Sequence, residues 1–127
     1  MIVPCLFIAT TGEKGRGVFT AAAITANSVI EIAPVLVMSR VDRKLLEQTL
    51  LHDYIFLWDD GADSCCMALG WVSIYNHAYQ SNCEYEMNYD DNTISIKTVR
   101  DIQTGEELTI NYNGEWNNEK QVWFDVR

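Results

Sequence analysis

Residues 84–99, EYEMNYDDNTISIKTV, alternate polar and apolar side chains on either side of a single turn. In an extended chain Tyr85, Met87 and Tyr89 fall on one face, and Glu84, Glu86 and Asn88 on the other. Asp90, Asp91 and Asn92 are turn formers, and TISIKTV resumes the alternation. A period of two is that of a half-buried strand, so the stretch predicts a hairpin.

The same reading extends along the chain. PCLFIAT (4–10), VFTAAAI (18–24), VIEIAPVLVM (29–38), YIFLW (54–58) and SCCMAL (64–69) are short apolar runs between turn-forming residues, and each predicts a strand. Pro34 interrupts the third, because it cannot donate to a ladder. TGEKGRG (11–17) reads as a loop, and RDIQTGEELTINY (100–112) as a turn at Thr104–Gly105 leading into a short strand at 108–110. A helix is predicted over 41–53, capped by Ser39 with Asp42 three residues on. Val41, Leu45, Leu46 and Leu50 share one face at helical spacing, as in a helix that packs on a core, and His52 near its end reads as a solvated or C-terminal residue. The expectation is a mostly β fold with one or two short helices.

A chain of 127 residues suffices for one domain with a real core. No window reaches the roughly 18 apolar residues of a membrane span. MIVPCLFIAT lacks a basic leader and reads as a first strand rather than a signal peptide. The net charge of −9 argues against direct nucleic-acid binding, which needs cationic patches, and suits a basic partner such as a lysine-rich peptide. The same acidity would also serve solubility alone. Cys5, Cys65, Cys66 and Cys83 have neither disulfide-framework nor zinc spacing, and free thiols in a reducing compartment are expected.

Taken singly, the chemistry-bearing residues say little. Ser73 precedes His77 by four residues without a G-x-S-x-G elbow. A Cys83–His77 nucleophile–base pair is conceivable, but such proximity in sequence is common. KGRG (14–17) lacks the ending of a P-loop and reads either as a tight turn or as backbone that approaches a small ligand closely. Tyr112, in ELTINY, reads locally as a core tyrosine with its hydroxyl at the rim.

The order of these motifs is more informative than any one of them. KGRGVF, then SIYNHAYQSNCEY (73–85), then RDIQTGEELTINY resembles the SET-domain family of protein-lysine methyltransferases over about residues 3–124. NHAYQSNCEY is similar to the family's Asn-His-Ser-x-x-Pro-Asn-Cys pattern, with Ala78 for Ser and Ser81 for Pro, and GEELTINY resembles its closing motif. The resemblance implies a fold of small curved sheets with a C-terminal pseudoknot, an exception to unthreaded chains. It implies a single SET domain over 1–127, with a core of about 3–113 and a tail of 114–127 that covers the cofactor.

It also implies S-adenosylmethionine as methyl donor, S-adenosylhomocysteine as product and a basic lysine-containing protein or peptide, histone-like or otherwise, as substrate. Carried over residue by residue, Gly15, Arg16 and Gly17, with Lys14 beside them, match the Gly-x-Gly that touches the cofactor. Asn76 and His77 match the pair that holds it, the His77 main chain meeting the adenine and its ring pinning the pseudoknot. Trp123 and Phe124 fall where aromatics cover the adenine. Tyr112 matches the catalytic tyrosine. Tyr85 matches an aromatic that lines the lysine channel, and Ile110 occupies the position, two before the tyrosine, that tunes methylation degree. No metal is expected, since the family's post-SET cysteine cluster is absent. A homodimer could complete the substrate groove. Cytoplasmic localisation is expected, nuclear or host chromatin if the source is eukaryotic, viral or an effector. The alternative is a catalytically silent SET-fold module that binds a peptide or protein partner.

Overall fold

The structure is a computed structural model that describes residues 1–13, 15–58 and 63–112. Its strands are β1 (Leu6–Thr11), β2 (Gly15–Thr20), β3 (Val29–Met38), β4 (Phe56–Trp58), β5 (Ser64–Ala68), β6 (Asn76–His77), β7 (Cys83–Asn88), β8 (Thr93–Thr98) and β9 (Glu107–Ile110). They form a four-stranded sheet in the order β1-β2-β9-β6 and a five-stranded sheet in the order β4-β5-β3-β8-β7.

The hairpin expected over 84–99 is β7 against β8, in register from Cys83 opposite Thr98 to Asn88 opposite Thr93. Its turn is held by the Asn88 Oδ1, which accepts from the backbone N–H groups of Asp90 and Asp91, and Asn92 takes the left-handed conformation that asparagine tolerates. Ile94 and Ile96 point from β8 into the core, where they join Val18, Ile30, Val72, Tyr75, Leu108 and Ile110, all essentially without solvent exposure.

β3 remains whole across Pro34 because it changes partner there. Residues 29–34 pair with β8 and residues 35–38 with β5. The proline carbonyl still accepts, from the Leu69 N–H at 3.0 Å, and the position costs one donor where two ladders meet. Closer to the start of β3 the register slips between Val29 and Glu31, a bulge that leaves two successive residues, Ile30 and Glu31, buried.

Four expectations are corrected. The glycines of KGRG are not loop residues: Gly15–Gly17 are the first residues of β2, opposite Thr11, Thr10 and Ala9, and β2 ends at Thr20, so residues 21–24 are not strand apart from a bridge from Ile24 to Ile102. The helix is α1 (Arg40–Leu46) alone. Ser39 caps it, accepting from the Asp42 N–H, but Thr49 takes extended backbone and caps a separate 3-10 turn, Leu50–Asp53, which stops the helix. Nor does α1 bury an apolar face: none of its residues is buried, and Val41, Leu45 and Leu50 are exposed. At two turns, α1 covers little more than the outer face of β5. There it lies near Cys65, while Cys66, one residue on, turns into the core.

Candidate active site

Two chain segments far apart in sequence build the site. β9 lies between β2 and β6, antiparallel to the first and parallel to the second, with Asn76 opposite Thr109 and His77 opposite Ile110. The loop after β6 then laces β9 in place. Asn82 donates from Nδ2 to the Glu107 carbonyl at 2.8 Å, and its Oδ1 accepts the Thr109 N–H at 2.8 Å. Asn111 donates to the Tyr79 carbonyl, and Ala78 N–H to the Ile110 carbonyl. A side-chain amide that replaces a backbone partner on each side is what a parallel two-residue strand needs, since it cannot complete a ladder. Asn82, the asparagine of the Asn-Cys pair that follows Asn-His in the sequence, supplies two of these bonds.

This lacing brings Tyr112 to rest immediately after β9, held at three atoms. Its N–H donates to His77 Nδ1 at 3.0 Å, its carbonyl accepts from the Tyr85 hydroxyl at 3.2 Å, and its own hydroxyl donates to the Tyr75 carbonyl at 2.8 Å. The rings of His77 and Tyr112 lie 5.1 Å apart. Burial pushes the Tyr112 phenol up to about 12, with smaller contributions from Tyr54, Asp53 and Glu107, so its proton stays on oxygen at any ordinary pH. Burial likewise pushes Tyr85 up to about 12. Tyr85 also meets Phe56 edge to face at 5.2 Å.

A second cluster lies on the β2 side. Asn76 Nδ2 donates to the Arg16 carbonyl at 3.0 Å and to Glu107 Oε2 at 2.7 Å. Both protons of that amide nitrogen are thereby placed, and its oxygen is left as an acceptor on a half-buried side chain. A side chain at Gly17 would collide with Glu107 Oε2 and come within 2.9 Å of Asn76 Nδ2. Among the described residues Gly15 has nothing within 4 Å of where its side chain would be, and its φ is +75°. The two glycines therefore serve different ends: Gly17 admits the Asn76–Glu107 pair, and Gly15 turns the chain at a positive φ.

Gly15, Arg16, Gly17, Asn76, His77, Tyr85 and Tyr112 thus belong to one region, linked by hydrogen bonds or strand pairing. Ile110 lies beside them but is fully buried in the core. Lys14, Trp123 and Phe124 lie outside the described residues. From the sequence, backbone carbonyls near residues 74–76 are expected to orient the amine together with the Tyr112 hydroxyl, and the Tyr75 carbonyl is the one that this hydroxyl meets. Asp53 and Tyr54, near Tyr112, come from a region read as helix end and strand and carry no such expectation. Among the described residues no group of three or more His, Cys, Asp or Glu side chains could hold a metal ion.

The SET domain pattern matches residues 15–113. The chain is 37% identical over 121 residues to a Schizosaccharomyces pombe histone-lysine N-methyltransferase specific for H3 lysine-37, which covers 94% of this chain and 77% of that protein. It is 34% identical over 64 residues to histone-lysine N-methyltransferase set9 of the same organism, half of this chain but 14% of that protein. A crystal structure of a candidate histone methyltransferase from Plasmodium falciparum superposes with a TM-score of 0.65 at 24% identity, covering 91% of this chain and 98% of that one, a likeness of fold. The chain belongs to the SET domain family. It is a protein-lysine N-methyltransferase, and SET methyltransferases generally use S-adenosylmethionine as donor.

Proposed function

We propose that the chain transfers methyl groups from S-adenosylmethionine to a lysine of a basic, histone-type protein, with Tyr112 as the catalytic residue and Gly15–Gly17, Asn76 and His77 around the donor. The observation that carries this reading is the three-point hold on Tyr112. A phenol anchored at its main-chain N–H, its carbonyl and its hydroxyl presents one oxygen in one orientation, and orientation is most of what an amine needs for displacement at carbon.

The residues present fit the donor. Asn76 keeps an amide oxygen for an ammonium, the Arg16 carbonyl sits beside it, and among the described residues nothing crowds Gly15. When bound, S-adenosylmethionine would supply a methyl carbon for a neutral amine to attack, the positive sulfur leaving as a neutral thioether. The chain's own part is to deliver that amine neutral and aligned. A free lysine has a pKa of about 10.4, and burial of its amine beside the Tyr85 and Phe56 rings, next to the positive sulfur, would disfavour the ammonium by desolvation and like charge, so no strong base is required. The Tyr112 hydroxyl, its proton committed to the Tyr75 carbonyl, keeps lone pairs to accept an N–H of the incoming amine.

A basic substrate suits the acidic chain. Glu84 pairs with Lys97 at 3.8 Å, and Glu86, Asp90 and Asp91 stand exposed on and beyond β7. The deciding experiment incubates the protein and its Tyr112→Phe variant with methyl-labelled donor and histones, and locates the modified lysine by mass spectrometry. Transfer by the wild type and its loss in the variant are expected. Equal transfer by both removes Tyr112 from the catalytic role, and donor binding without any transfer favours a silent binding module.

A further inference from the structure

Glu31 is a carboxylate with no solvent exposure, in an otherwise apolar strand. A buried carboxylate without partners is costly, and this one has two. Its Oε2 accepts the Trp71 N–H at 2.7 Å, and its Oε1 accepts the Tyr75 hydroxyl at 3.0 Å. The chain also makes room for it. The bulge at the start of β3 turns Glu31 inward together with Ile30, where plain alternation would leave one of them outside. Gly70, at φ +73°, lies so close to Oε2 that a side chain there would stand 2.5 Å from it.

The two residues that Glu31 grips bound one short segment. Trp71 opens it, a 3-10 turn (Val72–Ile74) follows, and Tyr75 closes it. Asn76 and His77 come next. The carbonyl of Tyr75 is the acceptor of the Tyr112 hydroxyl. One carboxylate therefore fixes the ring of a residue whose main chain fixes the catalytic oxygen, with no direct contact to the site.

We infer that Glu31 is a positioning residue for methyl transfer, which acts through Tyr75 to set the orientation of the Tyr112 hydroxyl. The inference rests on the reading of Tyr112 as the catalytic residue. Glutamine at position 31 keeps the shape of the side chain, but with its oxygen on the Trp71 N–H its amide nitrogen can only donate to the Tyr75 hydroxyl, so the bond to Tyr75 is reversed and the carboxylate charge that holds it is lost. Phenylalanine at position 75 breaks the same link from the other end.

The test measures single-turnover methyl transfer to a histone substrate and donor binding by calorimetry, for variants shown folded by circular dichroism. Tyr112→Phe is measured first, and a wild-type rate there overturns the reading of Tyr112 before Glu31 is touched, and this inference with it. Glu31→Gln and Tyr75→Phe are each expected to slow transfer about tenfold or more, while the donor Kd stays within about threefold. Combined with Tyr112→Phe, neither should slow transfer further, because the hydroxyl through which they act is gone. A residue that only props up the fold would subtract the same factor in both backgrounds. Should Glu31→Gln not fold, Tyr75→Phe alone and with Tyr112→Phe decides. Wild-type transfer in the single variants, or an undiminished loss in the Tyr112→Phe background, overturns the inference.

Discussion

The main-chain N–H of Tyr112 donates to Nδ1 of His77 at 3.0 Å, across 35 residues of sequence. That bond defines what the histidine does. An Nδ1 that accepts from the backbone cannot abstract a proton there, and the ring serves to pin the end of β9 against β6. His77→Ala leaves a part-buried backbone N–H without its acceptor, and should cost about 1–3 kcal/mol. Urea unfolding measures this, and an unchanged midpoint would show that the bond contributes nothing to the fold.

Tyr112→Phe should lower turnover about a hundredfold or more with the donor Kd nearly unchanged, since an orienting contact is lost and no binding contact with it. The wild-type rate should climb as pH rises toward the lysine pKa, because the reactive amine is the neutral form. It should not bend downward near pH 10, since the Tyr112 phenol is pushed up to about 12. A descending limb that begins near pH 10 and vanishes in Tyr112→Phe would contradict the shifted phenol.

Gly15 and Gly17 should fail differently when changed to alanine. At Gly15 the penalty is backbone, about 1 kcal/mol for a left-handed φ, with no side-chain clash. At Gly17 the new methyl displaces the Glu107 carboxylate and the Asn76 amide, which are ends of side chains that can move. Donor affinity should drop about tenfold there with little loss of stability, the reverse of Gly15. Equal behaviour of the two variants in calorimetry and thermal unfolding would refute the division of roles.

Burial pushes the Glu31 carboxyl above its ordinary 4.5, opposed by the Trp71 N–H and the Tyr75 hydroxyl. The folded protein thus holds this proton more tightly than the unfolded chain. Its contribution to stability is fully present below about pH 4.5 and is lost as pH rises through the raised value. Stability of the wild type should therefore fall relative to Glu31→Gln from pH 4 upward. Urea midpoints that run parallel for the two proteins from pH 4 to 7 would rule this out.

The exposed Glu86, Asp90 and Asp91 should draw a basic peptide over a range set by the Debye length, about 10 Å at 0.1 M salt. Raising salt to about 0.5 M should increase the substrate KM and leave the donor Kd in place, and a KM indifferent to salt would discard these carboxylates as attractants.

Much of the strand pattern was legible in the chain. The 84–99 hairpin, the strand at 29–38 and the turn at Thr104–Gly105 were read from alternation and turn formers, because those signals are local. The helix is shorter than its periodicity predicts: Val41, Leu45 and Leu50 repeat at helical spacing, yet Thr49 breaks the helix and none of the residues of α1 is buried. Periodicity records a face, not what the face meets. The glycine stretch was misread in the opposite sense, since Gly15–Gly17 are recruited into β2 by Thr11, Thr10 and Ala9, and glycine alone does not announce a partner strand.

The sequence by itself determined the family, through three motifs in fixed order, and with it the identities of Asn76, His77 and Tyr112 as residues to watch. Tertiary structure decided how they act. Residues 76–77 and 109–110 lie more than thirty positions apart, and only parallel pairing of β6 with β9 makes His77 an acceptor for Tyr112 and the Tyr75 carbonyl an acceptor for its hydroxyl. Glu31 shows the divide most plainly. In the chain it is one polar letter in an apolar strand. A bulge turns it inward, and the desolvation cost of a buried carboxylate then demands the two donors, Trp71 and Tyr75, that tie it to the site.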